Sequence, residues 1–426
     1  MTKAETPSFS PPFDCAALRS GQGAGEDSPA LRWGERALEY ARGICGKSPG
    51  RGSATQDEWR AGEEVLAWLR QIGIENLRTQ EFSGLRSLWL FLGLAFGMAL
   101  VGHAAYWLLT GPVGALLALG IALAFFIFSA YLLWRKFTFR DYPLSGTLPH
   151  GPSRNILATL PAAGEARGRV VLVGHLDSHR AVWVFASDFL LRAYVLITPL
   201  AIYGVCVAPV LYALADFTGL HIFATLSLLL ALVHFVAWFT GMTADLGPYS
   251  PGANDNACAV GTLLALAERL KAQPLQSTEV WLAFTGCEET GGDGLRSLLE
   301  EYGSQLKEAL FLDFELVGIG ERLAYLQSEG IVRKQRIPAD VERLVRDIGA
   351  GFNVQPIQAA SLGVFTEAGV AWEHGFRAVC ILVQSDGSGR MPEWHRLSDR
   401  GERLQAGALA KAHAFAWALL QKLDLE

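Results

Sequence analysis

Two hydrophobic patterns alternate along the chain, and they predict two kinds of structure. The first consists of short apolar runs bounded by Gly, Pro, Asn and Asp. Asn76–Phe82, Asn155–Leu160, Arg169–Val173, Val280–Phe284, Ala309–Phe314 and Ala378–Val383 read in this way as strands. Between them, apolar residues at helical spacing predict helices over Leu31–Cys45, Glu58–Ile72, Asn256–Ala272, Gly294–Tyr302, Ala339–Ile348 and Arg400–Leu423. Strands alternating with helices imply an α/β domain with a mostly parallel mixed sheet flanked by helices. In such sheets ligands gather at the carboxyl ends of the strands.

The second pattern is long. Trp89–Leu109 is apolar, Thr110–Pro112 makes a turn, and Val113–Trp134 is apolar again. Runs of about 20 residues at roughly 1.5 Å each match a hydrocarbon core of about 30 Å. A second block opens with Val182–Arg192, whose Asp188 and Arg192 suggest an interfacial helix, and continues as Tyr194–Leu214 and His221–Phe239. Tryptophans and tyrosines near several ends fit the aromatic belts of a bilayer better than a buried soluble core. The expectation is two transmembrane hairpins, four helices in all, inserted into the α/β domain. The division is a disordered tail over 1–30, catalytic-domain segments over 31–87, 136–181 and 242–426, and membrane insertions over 88–135 and 182–241. Gly93 and Gly97 form a GxxxG that packing within the first hairpin explains, and His103 reads as a satisfied packing residue.

Arg78, Arg86, Arg135, Lys136, Arg140, Arg180 and Arg192 flank the hairpins on one side, while the tips Thr110–Pro112 and Ala215–Leu220 carry no Lys or Arg. By the positive-inside rule this predicts a multi-pass integral membrane protein whose α/β domain is cytoplasmic. Composition agrees: 51% of the 426 residues are hydrophobic and only 18% charged, with positive mean hydropathy. A net charge of -6 without a basic block excludes nucleic acid as an expected partner. The six cysteines are scattered without CxxC spacing, which argues against a disulfide framework or structural zinc knot. The N-terminal stretch, rich in Pro, Ser and Gly, lacks the apolar core of a signal peptide.

Candidate chemistry sits where the strands end. After RVVLVG come His175 and Asp177, a spacing that lets the acid fix the imidazole of a metal ligand. Asp255 lies in the turn PYSPGANDN before a helix, where it serves equally well as an N-cap. EVWLAF breaks into TGCEETGGDG with the pair Glu288–Glu289, ALFLDFELVG carries Asp313, and RMPEWHRLSD carries His395. Alone, each motif is weak, and two acids in a loop are commonly just solvated. Together they are oxygen and imidazole donors suited to Zn, Mn or Co, with no competing thiolate set.

In this order at the ends of one sheet, the motifs resemble those of the dinuclear zinc aminopeptidases of peptidase family M28, whose pattern runs HxD, GADDN, EE, LD and a late His. The resemblance covers the chain from about Leu31 to its end, apart from the hairpins. It implies a zinc-exopeptidase-like fold and two Zn ions, with Mn or Co as substitutes. It further implies that Asp255 bridges the ions, that His175 and Asp313 complete one site and Glu289 and His395 the other. Glu288 would be the general base and acid, with Asp177 supporting His175. The segment from Arg42 through Gly52 and Ser53 resembles the family's entrance. Asn254 and Cys258-Ala259 depart from the family's usual residues without touching an expected ligand. The implied activity is a membrane-anchored metallopeptidase, first an aminopeptidase, acting through metal-activated water on a peptide substrate. A different amide hydrolase or glutaminyl-cyclase-like enzyme, and a non-catalytic membrane scaffold, are the alternatives. Gly330–Pro338 and Ser361–Trp372 are the loops expected to line specificity pockets. The second insertion leaves the sheet a few residues after His175, so the hairpins either anchor the domain or set the rim of the site near the bilayer.

Overall fold

The computed structural model describes residues 29–358, 365–385 and 391–426. The expected tail lies outside the described residues up to position 28, and Pro29 and Ala30 already begin the first helix. In chain order the elements that position the site are α1 Pro29–Lys47, α2 Gln56–Ile72, β1 Leu77–Leu85, α3 Leu88–Val113, α4 Ala115–Phe137, β2 His150–Leu160, β3 Gly168–His175, α5 Asp188–Thr218, α6 His221–Thr243 and α7 Cys258–Ala272. They continue with β4 Thr278–Thr285, α8 Asp293–Tyr302, β5 Leu310–Glu315, β6 Arg322–Glu329, β7 Gln335–Arg336, α9 Ala339–Gly349, β8 Gln355–Gln358, α10 Glu367–Glu373, β9 Arg377–Gln384 and α11 Ala406–Asp424.

The sheet runs β1-β2-β4-β3-β5-β9-β6-β7, with β8 on β6. Its middle strands β4, β3, β5 and β9 are parallel, and the outer pairings β1–β2, β2–β4 and β9–β6 are antiparallel. Because helices cover both faces, the central strands are apolar throughout rather than alternating: Val170 to Val173, Val280 to Phe284 and Leu310 to Leu312 are all buried. α1 packs against α7 and α11. Its approach to α7 requires Gly261, where a Cβ would lie 2.2 Å from the Ala37 carbonyl oxygen. Strands β6, β7 and β8 and helix α10 were not legible in the sequence, being short or half polar.

The four apolar helices α3 to α6 are long and apolar enough to cross a membrane. Their outward faces carry Leu108, Leu116 and Phe217 at 73%, 78% and 81% exposure. Two details differ from expectation. The separate interfacial helix over Val182–Arg192 is absent: Trp183–Phe185 form a 3-10 turn, and Ser187 caps a single 31-residue helix by accepting from the Leu190 N–H, with Asp188 in its first turn. The first hairpin turns at Gly114 (φ 86°), because α3 continues through Pro112. The GxxxG also has another partner. Gly93 faces Gly241 and Met242, and Gly97 faces Trp238, so the small residues join α3 to α6 of the other hairpin.

Candidate metal centre

His175 ends β3, Glu315 ends β5, and Glu288–Glu289 follow β4 in the turn that leads to α8. Asp255 lies just before α7 in backbone that is not helical (φ -127°, ψ 83°), and His395 comes from the loop before α11 with φ 56°. The five segments converge because β3, β4 and β5 are parallel neighbours whose carboxyl ends share one edge.

At the centre is Asp255. Its Oδ1 is 3.3 Å from His175 Nε2 and its Oδ2 is 3.1 Å from His395 Nε2, so one carboxylate spans both imidazoles. Glu315 Oε2 is 3.5 Å from His175 Nε2 on one side, and Glu289 Oε2 is 3.3 Å from His395 Nε2 on the other. Glu288 Oε2 stands 3.9 Å from His175 Nε2. All six side chains are buried.

Residues from far along the chain fix this arrangement. Asp177 is 3.3 Å from His175 Nδ1, accepts the Ser53 hydroxyl at 2.6 Å, and accepts the backbone N–H groups of Glu288 and Glu289 at 3.1 Å each. One aspartate therefore orients the imidazole and holds the glutamate pair. Asp399 accepts the N–H groups of Asn254 (2.7 Å) and Asp255 (3.1 Å). Arg51, fully buried, donates to the carbonyls of Leu176 (2.8 Å), Pro251 (3.0 Å) and Gly252 (2.8 Å), tying the loop after His175 to the loop before Asp255. Asn254 donates to the Pro392 carbonyl and accepts the Gly318 N–H, a pairing an aspartate at this position would half lose.

The structure brings together His175, Asp177, Asp255, Glu288, Glu289 and His395, but not Asp313. In the β3–β5 register Asp313 stands opposite Val173, one pleat below His175, and its Oδ2 accepts the Ala368 N–H at 2.9 Å. Two residues on, on the same face, Glu315 is level with His175 and takes its place. A second residue missed in the sequence is His179. Its ring stacks on His395 with centroids 3.6 Å apart, close to Glu289 as well. Both of its nitrogens are engaged: Trp89 Nε1 of α3 donates to Nε2 at 3.2 Å, which leaves Nδ1 to donate to the Arg180 carbonyl at 2.7 Å. His179 therefore supports His395 instead of competing for a cation, and a membrane-length helix sets its tautomer.

Crowding shifts the proton affinities. Burial pushes Glu288 well above the usual carboxylate range, with His175 opposing and Glu315 and Glu289 adding to the rise. Burial also raises Glu289 to about 7 and Glu315 to about 8. For Asp255 burial is outweighed by its bonds to His175 and His395, which hold it below its ordinary value. Burial opposes charge on His395, but Glu289 and Asp255 raise it to about 9. Four buried carboxylates around two imidazoles cannot all be charged without a cation among them, which is why burial raises three of them. His175 Nε2, Glu289 Oε1 and Glu315 Oε1 make no hydrogen bond. Imidazole nitrogens and carboxylate oxygens in mutual reach, with unused lone pairs, fit divalent cations; among the described residues the donor groups within 4.8 Å of one another are His179–Glu289–His395, His175–Asp255–Glu315 and His175–Glu288–Glu289, and in the first of them His179 already spends Nε2 on Trp89.

A cavity of about 180 Å³ opens from this centre. Asp255, Glu288, Glu289 and Glu315 line one end, and residues of α3, α5 and α6 line much of the rest, together with Trp183–Phe185, Leu326, Leu382 and Trp394. Of the loops expected to form pockets, the first contributes Ile331 and the second Phe365 and Thr366, while residues 361–364 lie outside the described residues.

The profile of Peptidase family M28 matches residues 232–420, the span that carries Asp255, Glu288, Glu289, Glu315 and His395. No curated protein matches the chain in sequence. Solved structures share the fold. A Bacteroides thetaiotaomicron glutaminyl cyclase bound to N-acetylhistamine is 13% identical with a TM-score of 0.52, covering 91% of this chain and 97% of its own. The LapA aminopeptidase of Legionella pneumophila is 9% identical with a TM-score of 0.52, covering 99% and 78%. BSAP, a zinc aminopeptidase from Bacillus subtilis, is 12% identical with a TM-score of 0.52, covering 92% and 95%. At these identities the solved structures speak to the fold, and the family match agrees with the resemblance read from the motifs.

Proposed function

Given a metal-dependent hydrolase whose 232–420 segment matches peptidase family M28, we propose a two-metal aminopeptidase anchored by α3 to α6. The observation that carries this reading is Asp255, whose two oxygens face two separate sets of donors. His175, Asp255 and Glu315 would hold one ion, and His395, Asp255 and Glu289 the other. Zinc, or manganese or cobalt in its stead, would supply Lewis-acid polarisation of the amide carbonyl and a more acidic water. Glu288 removes the proton from the attacking water and passes it to the leaving nitrogen, a role its burial and raised proton affinity support. Asp177 keeps His175 in one tautomer and holds the backbone of Glu288 in place.

The four helices are read as membrane-crossing, with the α/β domain on the cytoplasmic side. That side carries Arg135, Lys136 and Arg140, while the turns at Gly114 and Gly219–Leu220 carry no basic residue. The substrate is a peptide, and no nucleic acid is involved.

The test is the purified full chain in detergent, assayed on a peptide library with and without chelator, with metal counted by elemental analysis. Two ions per chain and chelator-sensitive removal of N-terminal residues are expected; Glu288→Gln should keep both ions and lose roughly 10²–10⁴ in turnover. Full activity in that variant overturns the assignment. One ion per chain favours the chemistry of the cyclase neighbours. A metal-free protein whose stability ignores chelation favours a scaffold.

A further inference from the structure

The same cavity points to an amide substrate other than the peptide proposed above, and the inference rests only on the metal-dependent hydrolase part of that reading. Its polar end is the cluster of Asp255, Glu288, Glu289 and Glu315. Its long wall is built by membrane-length helices through Leu92 and Phe96 of α3, Ile197 and Ala201 of α5, and Val236 and Ala237 of α6. At roughly 10–15 Å³ per water-sized group, a volume of about 180 Å³ holds about a dozen such groups, more than a leucine or phenylalanine side chain fills.

Along α3, α5 and α6 the wall offers a peptide little bonding capacity. Thr198 Oγ1 donates to the Tyr194 carbonyl at 2.7 Å, and Thr240 Oγ1 donates to the Val236 carbonyl at 2.8 Å. Trp89 Nε1 is engaged by His179. An extended peptide laid along this wall buries amide groups without partners, each costing roughly tenfold or more in affinity. An alkyl chain has no such groups, and each methylene buried there gains about fourfold.

We propose that the substrate is an amide of a long-chain fatty acid with an amino acid or small amine: the alkyl chain lies between α3, α5 and α6, and the scissile carbonyl stands at the acid cluster. Water adds its oxygen to the acyl carbon, the C–N bond breaks, and the nitrogen takes up the proton relayed by Glu288. The products are a fatty carboxylate and a free amine.

The experiment uses the full chain loaded with zinc in lipid nanodiscs and a series of N-acyl-alanines from acetyl through hexanoyl to dodecanoyl, each below its micelle concentration, with released alanine as the readout. A leucine-rich tetrapeptide of matched apolarity is the comparison. The expected result is a rise in kcat/KM of at least a hundredfold from acetyl to dodecanoyl, with the dodecanoyl amide preferred over the tetrapeptide. Ala201→Phe, which fills the wall, should shift the preferred chain to a shorter length. Cleavage of the tetrapeptide with a flat chain-length profile overturns this proposal and leaves the hydrolase reading standing. Zinc-loaded protein that cleaves neither kind of substrate overturns both. The wild-type series decides the matter even where the variant fails to fold.

Discussion

Asp177 and His103 are both buried polar residues, but they belong to different halves of the molecule and are held differently. Asp177 collects the Ser53 hydroxyl and two backbone N–H groups from positions more than 100 residues away, beside an imidazole. Its neighbours Arg51 and Asp399 do the same for adjoining loops. His103, on α3, has two side-chain partners on the other hairpin, Tyr212 and His234, within a bundle packed mainly by apolar and small residues. Around the sheet edge, a dense set of bonds fixes side chains to within the tolerance catalysis needs. In the bundle, packing sets only how helices lie against each other, which suffices to line a cavity.

The largest effect that sharpens this contrast is at the end of β5. Glu315→Gln should lower metal occupancy of one site and cut kcat/KM on the order of 100-fold or more, whereas Asp313→Asn, one pleat below, should keep both ions and lose about tenfold or less. Elemental analysis of the two purified variants separates them, and equal metal loss would break the register argument.

The halves meet at Trp89. Trp89→Phe keeps the ring in the apolar cluster with Phe185 and Tyr194 but removes the donor to His179, whose ring supports His395. A fall of about tenfold in kcat with little change in KM or in Tm is expected, since His179 braces the ring of His395 and loses the bond that orients it. A variant with unaltered kcat would show that the membrane helix contributes walls alone.

A third change should touch only the bundle. A side chain at Gly241 meets the backbone of Gly93 at 2.5 Å, so Gly241→Val must force α3 and α6 apart. The expected cost is about 1–3 kcal/mol, seen as a lower Tm in detergent, with both ions still bound. Loss of metal in this variant would mean that the two halves do not behave separately.

These cases also show what the sequence carries and what it withholds. The buried strands are legible because Val280 to Phe284 is an unbroken apolar run, and the membrane-length helices because their length has no other common explanation. The partner of a helix is less legible: Gly93 and Gly97 announce close packing but not that α6 supplies the other surface. At the site, FLDFE offers two acids at i and i+2 on one face of β5, and only the pairing of β5 with β3 decides which of them stands at the rim. The family's LD pattern pointed to Asp313; the register selects Glu315. Arg51, Asp399 and His179 left no signal, since an arginine bonded to three carbonyls looks in sequence like any other arginine.

The smallest expected effect probes the bundle's own polar chain. His103 Nδ1 pairs with the Tyr212 hydroxyl at 2.8 Å and His103 Nε2 with His234 Nδ1 at 3.0 Å, while Trp107 Nε1 donates to the same hydroxyl at 3.0 Å. Such bonds between membrane helices are strong in isolation. The unfolded chain in lipid also finds partners, however, so the net coupling averages about 0.6 kcal/mol. A double-mutant cycle of His103→Leu with Tyr212→Phe, read from unfolding in detergent, should therefore give about 0.6 kcal/mol and stay under about 1.7 kcal/mol. Since Trp107 still has no acceptor once the hydroxyl is gone, Tyr212→Phe should be the costlier single change. A coupling well above that range would mean the bundle holds its polar residues as tightly as the sheet edge holds Asp177, and the distinction between fixed site and adaptable wall would fall.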